Sequence, residues 1–147
     1  MQQPINQINQ RNSIRIALVG CVSSGKSTLL NAICVKQYED MRRRRTTMLP
    51  TIYKTANEIT YQNRTERDRI INRNVELSHE FLSGETTLTQ ENCELQEYMI
   101  PIIENFIDLP EDVFLDIYDI PGLNDGVTRD IYFQWMKDNF HEFDVII

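Results

Sequence analysis

The apolar positions of this chain fall into short blocks separated by glycine, proline and charge. Ile14-Arg15-Ile16-Ala17-Leu18-Val19 is apolar and β-branched and runs straight into Gly20, the pattern of a buried strand. From Lys26 to about Lys36, Leu29, Leu30, Ala32 and Ile33 recur at helical spacing, which predicts a helix. Residues 37–51 read as irregular, and Ile52 to Tyr61 holds a candidate strand. Residues 66–82 predict an amphipathic helix with Ile70, Ile71, Val75, Phe81 and Leu82 on its apolar face and Ser83-Gly84 as its stop. Residues 85–96 are compatible with a second short helix. Tyr98 to Ile103 reads as a strand, but Pro101 has no N–H to give a ladder, so the strand belongs at a sheet edge. Val113, Leu115 and Ile117 alternate with Phe114, Asp116 and Tyr118, a strand that leads into Asp119-Ile120-Pro121-Gly122. A loop over 123–129 and a helix over 130–140 follow, with Phe133 and Trp135 packing that helix onto the sheet. Phe143 to Ile147 then reads as a further buried strand. Residues 1–12, rich in Gln and Asn, predict a disordered polar leader with no signal-peptide core. There is no internal repeat.

Two of these junctions carry chemistry. Gly20-Cys21-Val22-Ser23-Ser24-Gly25-Lys26-Ser27 fits G-x-x-x-x-G-K-[ST], between the first strand and the first helix. Glycines let the backbone approach a phosphate with no Cβ in the way. Consecutive N–H groups then converge on the anion, and the helix that follows turns its positive end to it. In this pattern Lys26 reaches the β- and γ-phosphates and the Ser27 hydroxyl serves Mg²⁺. Asp119 stands at the C-terminal end of a strand, where open α/β sheets bind ligands, and a carboxylate there can hold Mg²⁺ through water. Pro121 stiffens the turn, and the Gly122 N–H can meet a γ-phosphate. The chain is expected to bind a nucleoside triphosphate.

Composition narrows the partners. The 147 residues carry a formal net charge of −7, which argues against nucleic acid, whose phosphates need a basic face. Three cysteines, Cys21, Cys34 and Cys93, have neither zinc-site nor disulfide-framework spacing and fit a reducing compartment. Arg42–Arg45 reads first as a solvated loop; contact with phosphate or a partner, or a patch for a membrane surface or nucleic acid, stays open. His79 and His141 read as surface residues.

Taken together, the motifs resemble those of the dynamin superfamily of large GTPases over about residues 14–147. The resemblance rests on the phosphate loop with Ser23 at its fourth position and on the run Ser27-Thr28-Leu29-Leu30-Asn31-Ala32. It rests also on Arg44-Arg45-Thr46-Thr47-Met48-Leu49-Pro50-Thr51, similar to a switch-one segment, and on Asp119-Ile120-Pro121-Gly122, similar to switch two. Thr47 lies 21 positions after Lys26, which suits the switch-one threonine. The resemblance implies an α/β P-loop NTPase fold, a Ras-like GTPase core with a mixed sheet flanked by helices. It implies a partial GTPase domain over 13–147 that is truncated at the C-terminus, since no Asn/Thr-Lys-x-Asp base-recognition motif is present.

By position, the nucleotide site would be Gly20, Ser23, Ser24, Gly25, Lys26, Ser27, Thr28, Thr47, Asp119 and Gly122, with Ser27, Thr47 and Asp119 serving Mg²⁺. Ser23, Lys26 and Thr47 would be catalytic. Where Ras-like enzymes carry a water-orienting glutamine this chain has Leu123. Dynamin-like enzymes resemble one another in using instead the phosphate-loop serine, backbone and a monovalent cation, completed by homodimerisation through the nucleotide face. The family further implies GTP hydrolysis to GDP and phosphate, membrane remodelling or self-assembly, and a cytoplasmic location, peripheral at membranes. Two other readings stay open at this point: an ATP-specific P-loop ATPase or kinase, and a non-catalytic nucleotide-binding interaction module.

Overall fold

A computed structural model describes residues 13–34, 48–56, 61–101 and 112–147. The expectations for the leader (residues 1–12), for Arg42–Arg45 and for Thr47 lie outside those residues. In chain order the elements are β1 (Ser13–Leu18), α1 (Lys26–Cys34), β2 (Thr51–Ala56), α2 (Tyr61–Ser83), β3 (Gln96–Pro101), β4 (Phe114–Asp119), α3 (Arg129–Asn139), a single 3-10 turn (Phe140–Glu142) and β5 (Val145–Ile146).

The five strands form one mixed sheet in the order β3-β2-β4-β1-β5. β1 runs parallel to β4 and to β5, with Leu18 opposite Asp119 and Ile16 opposite Val145. β2 is antiparallel to β4, with Thr51 opposite Asp119. β3 is parallel to β2. Pro101 therefore closes a strand at the end of the sheet order, as its missing N–H requires.

Strand alternation sorts the apolar residues onto two faces. Leu18, Tyr53, Leu115 and Ile117 are buried on one face beneath Leu30 of α1 and Ile70 of α2, with Ile16 and Ile33 beside them. Ala17, Ile52, Tyr118 and Ile120 occupy the opposite side, under Trp135 and Met136 of α3 and Phe143. The result is a sheet between helices, and both core layers converge on the ends of β1 and β4, where the site lies. A third cluster of Met48, Leu49 and Leu77, joined by Phe81 and Leu88, seats the chain leading into β2 against α2.

Four local expectations are corrected. The buried stripe of α2 is Ile70, Asn74, Leu77 and partly Phe81, whereas Val75 is 41% and Leu82 is 60% exposed. A spacing of four, three and four keeps that set on one side of the helix. Residues 85–95 form no helix. Gly84, at φ +77°, ends α2 with the Glu85 N–H reaching back to the Glu80 carbonyl (2.9 Å). Thr89 and Asn92 then exchange side-chain bonds with each other's backbone N–H (2.7 and 3.3 Å), an alternative to helical bonding. β5 pairs its backbone well, with Ile147 N–H on the Ala17 carbonyl and Val19 N–H on the Ile147 carbonyl, both at 2.8 Å. The side chains of Val145, Ile146 and Ile147, expected to be buried, are 44–58% exposed; among the described strands β5 has only β1 alongside. On α3, Tyr132, Trp135 and Met136 turn inward, while Phe133 is exposed beneath the Arg129 guanidinium, 5.5 Å from the ring centroid.

Candidate functional site

β1 delivers the chain to Gly20, and the next seven residues form a tight loop ending in α1. The Ser24 N–H meets the Cys21 carbonyl at 3.2 Å, and the Leu29 N–H takes the Gly25 carbonyl at 2.8 Å. Two residues have left-handed backbone, Ser23 at φ 62° and Gly25 at φ 91°. Glycine adopts that region at no steric cost; a serine there costs of order 1 kcal/mol and marks a position that the surroundings enforce. A Cβ on Gly20 would stand 2.9 Å from Ser24 Oγ, the end of a side chain that can rotate away. Lys26 lies along the loop, its Nζ donating to the carbonyls of Cys21 (2.7 Å) and Gly20 (3.2 Å).

β4 brings Asp119 beside this loop, fully buried. The Ser27 hydroxyl donates to Asp119 Oδ2 at 3.4 Å across 92 residues of sequence. This hydroxyl–carboxylate pair at a helix start is an oxygen donor set of the kind a hard divalent cation takes. Among the described residues no three His, Cys, Asp or Glu side chains form a metal-holding group. One carboxylate and one hydroxyl suit Mg²⁺, which keeps waters and completes its shell with substrate phosphates.

The loop after β4 rests directly on the phosphate loop. A Cβ added to Gly122 would fall 2.4 Å from Val22 Cγ2, 2.5 Å from the Val22 nitrogen and 2.7 Å from Val22 Cα. The Leu123 N–H donates to the Gly20 carbonyl at 3.1 Å, and the Val22 N–H donates to Asn124 Oδ1 at 2.5 Å. Thus Gly20, Ser23, Ser24, Gly25, Lys26, Ser27 and Thr28 share one end of the sheet with Asp119 and Gly122. Thr47 lies outside the described residues; Met48, the next residue, is buried. Of the thiols, Cys21 is exposed in the loop, while burial pushes the Cys93 thiol up to about 11.

A family model described as the dynamin family matches residues 16–147. The chain belongs to the dynamin family. Its fold is that of a P-loop GTPase domain, and its function is of the GTPase type. A search of curated proteins returned no match. The loop contacts above call for glycine at 122, the residue type thin enough to lie against Val22.

Sequence reasoning missed Asn124. Its only signal was an amide-bearing residue two places after Gly122, where many polar residues would serve a loop equally well. Because Asn124 holds the Val22 amide beside left-handed Ser23, it preorganises the phosphate loop. Asn124→Ala is expected to weaken di- and triphosphate binding alike, by roughly two- to tenfold, the worth of one hydrogen bond. Titration with fluorescent GDP and a non-hydrolysable GTP analogue measures both; unchanged affinities would remove that role.

Proposed function

We propose that this chain binds GTP with Mg²⁺ and hydrolyses it to GDP and phosphate. The observation that carries the proposal is the convergence of the phosphate loop, the buried Asp119 and the Gly122 turn at one end of the sheet. In this reading the amides of the loop and the start of α1 hold the β-phosphate, and Lys26 exchanges its carbonyl partners for phosphate oxygens. Ser27 and Asp119, with Thr47, hold Mg²⁺. When bound, the ion supplies charge neutralisation at the β- and γ-phosphate oxygens. The Gly122 N–H senses the γ-phosphate. Leu123 has no group to orient water, so that task would fall to Ser23 and the loop backbone, with a monovalent cation, when bound, supplying positive charge there. Catalysis is then positioning and charge stabilisation, with little covalent work for the protein.

Self-assembly, pairing of two copies across the nucleotide face, membrane remodelling and a cytoplasmic, membrane-peripheral location are the finer parts of the proposal. They rest on the family alone. No helix among the described residues is long and apolar enough to cross a membrane.

The test is competition at one site. With Mg²⁺ present, GTP is expected to displace fluorescent GDP at a concentration at least about tenfold below ATP, a preference of about 1.4 kcal/mol. Displacement by ATP at the lower concentration would make the chain an ATP-specific enzyme. Tight GTP binding with no phosphate release, even in concentrated protein, would make it a non-catalytic nucleotide-binding module.

A further inference from the structure

Both sides of the phosphate site are tied to one short stretch of backbone. Thr51 opens β2 opposite Asp119, and three residues upstream Met48 is held from two helices. The fully buried Tyr132 of α3 donates its hydroxyl to the Met48 carbonyl at 2.9 Å. Buried Asn74 of α2 accepts the N–H groups of both Met48 and Leu49 on Oδ1, at 3.2 and 3.3 Å. A polar residue in the middle of the buried stripe of α2 is costly unless it is satisfied, and here that cost is met by two backbone donors with no secondary-structure ladder of their own. In sequence the residue before Met48 is Thr47. α3, for its part, follows the Asp119–Gly122 turn after residues 123–128, and its Trp135 and Met136 pack against the cluster that holds Ile120 of that turn. Tyr132 thereby connects the helix that follows that turn to the Met48 carbonyl.

A second observation concerns the start of α3. Thr128, its N-terminal flanking residue, is fully buried, makes no side-chain cap bond, and its hydroxyl has no hydrogen-bond partner among the described residues. An unsatisfied buried hydroxyl is a strain that a displaced helix end can relieve.

We propose that Tyr132 and Asn74 are positioning residues that make the chain discriminate triphosphate from diphosphate, by coupling the turn after β4 to the backbone beside Thr47. This rests on the GTP-binding reading above. Neither residue touches nucleotide. Their removal is therefore expected to spare diphosphate affinity, which the phosphate loop sets, and to reduce the additional affinity gained from a γ-phosphate.

The experiment measures, for the full chain with Mg²⁺, the ratio of affinities for a non-hydrolysable GTP analogue and for GDP. Because the ratio is taken within one variant, a change in folded fraction cancels. Tyr132→Phe keeps the ring and deletes only the hydroxyl; it is expected to lower the ratio about three- to tenfold with GDP affinity unchanged within about twofold. Asn74→Ala is expected to lower the ratio likewise, and Asn74→Asp, which retains the acceptor oxygens, to restore it. An unchanged ratio in Tyr132→Phe and Asn74→Ala, or equal losses for both nucleotides, would overturn the coupling. A wild-type chain that binds neither nucleotide would overturn the GTP-binding reading itself, and the coupling with it.

Discussion

Lys26→Ala is expected to reduce triphosphate affinity by at least about a hundredfold. The ammonium that serves the carbonyls of Gly20 and Cys21 is the group we propose to reach the β- and γ-phosphates. Two charge-assisted hydrogen bonds at about 1.5–3 kcal/mol each give two to four orders of magnitude. The fold should be spared. Lys26 is only partly buried at the first position of α1, and alanine is the best helix former. A titration with fluorescent GTP, paired with a thermal melt, separates the two effects. Affinity within about threefold of wild type would remove the phosphate-binding assignment.

Gly122→Ala is expected to cost both stability and binding. The added methyl meets two backbone atoms and a branched carbon of Val22 at 2.4–2.7 Å, and none of these is the end of a flexible side chain. Either the turn lifts, losing the Leu123–Gly20 and Val22–Asn124 hydrogen bonds, or the phosphate loop deforms. Overpacking of this kind costs about 1–3 kcal/mol, which lowers the urea midpoint. Triphosphate affinity should fall about tenfold or more, since both responses move the loop amides. An alanine variant with wild-type midpoint and affinity would show that the contact yields at no cost.

The sequence-level reading was strongest where chemistry leaves few residue choices. The phosphate loop needs glycine, lysine and serine at fixed spacing, so the position and orientation of Gly20 to Ser27 could be read directly, as could Asp119 at a strand end. Pro101 marked an edge strand because a missing N–H is a local fact. Reading failed where neighbours decide. The α2 stripe was assigned by hydrophobicity, yet Asn74 faces inward because Met48 and Leu49 bring it two donors, which no local pattern encodes. Residues 85–95 favoured side-chain-to-backbone bonds over a helix. The exposure of β5 follows from its place in the strand order, a long-range property. Asn124 and Tyr132 act through partners 102 and 84 residues away, and a window scan sees neither.

The pairing of β1 with β4 has a consequence for how the protein matures. Ser13 lies opposite Phe114, and Ser27 meets Asp119 across 92 residues of sequence, so the two parts of the cradle cannot meet in a nascent chain that has not yet reached residue 119. Such distant closures come late and slowly in folding. In the GTP-binding reading, nucleotide therefore adds stability only to molecules in which the two parts have met, by an amount that grows with its concentration relative to its dissociation constant.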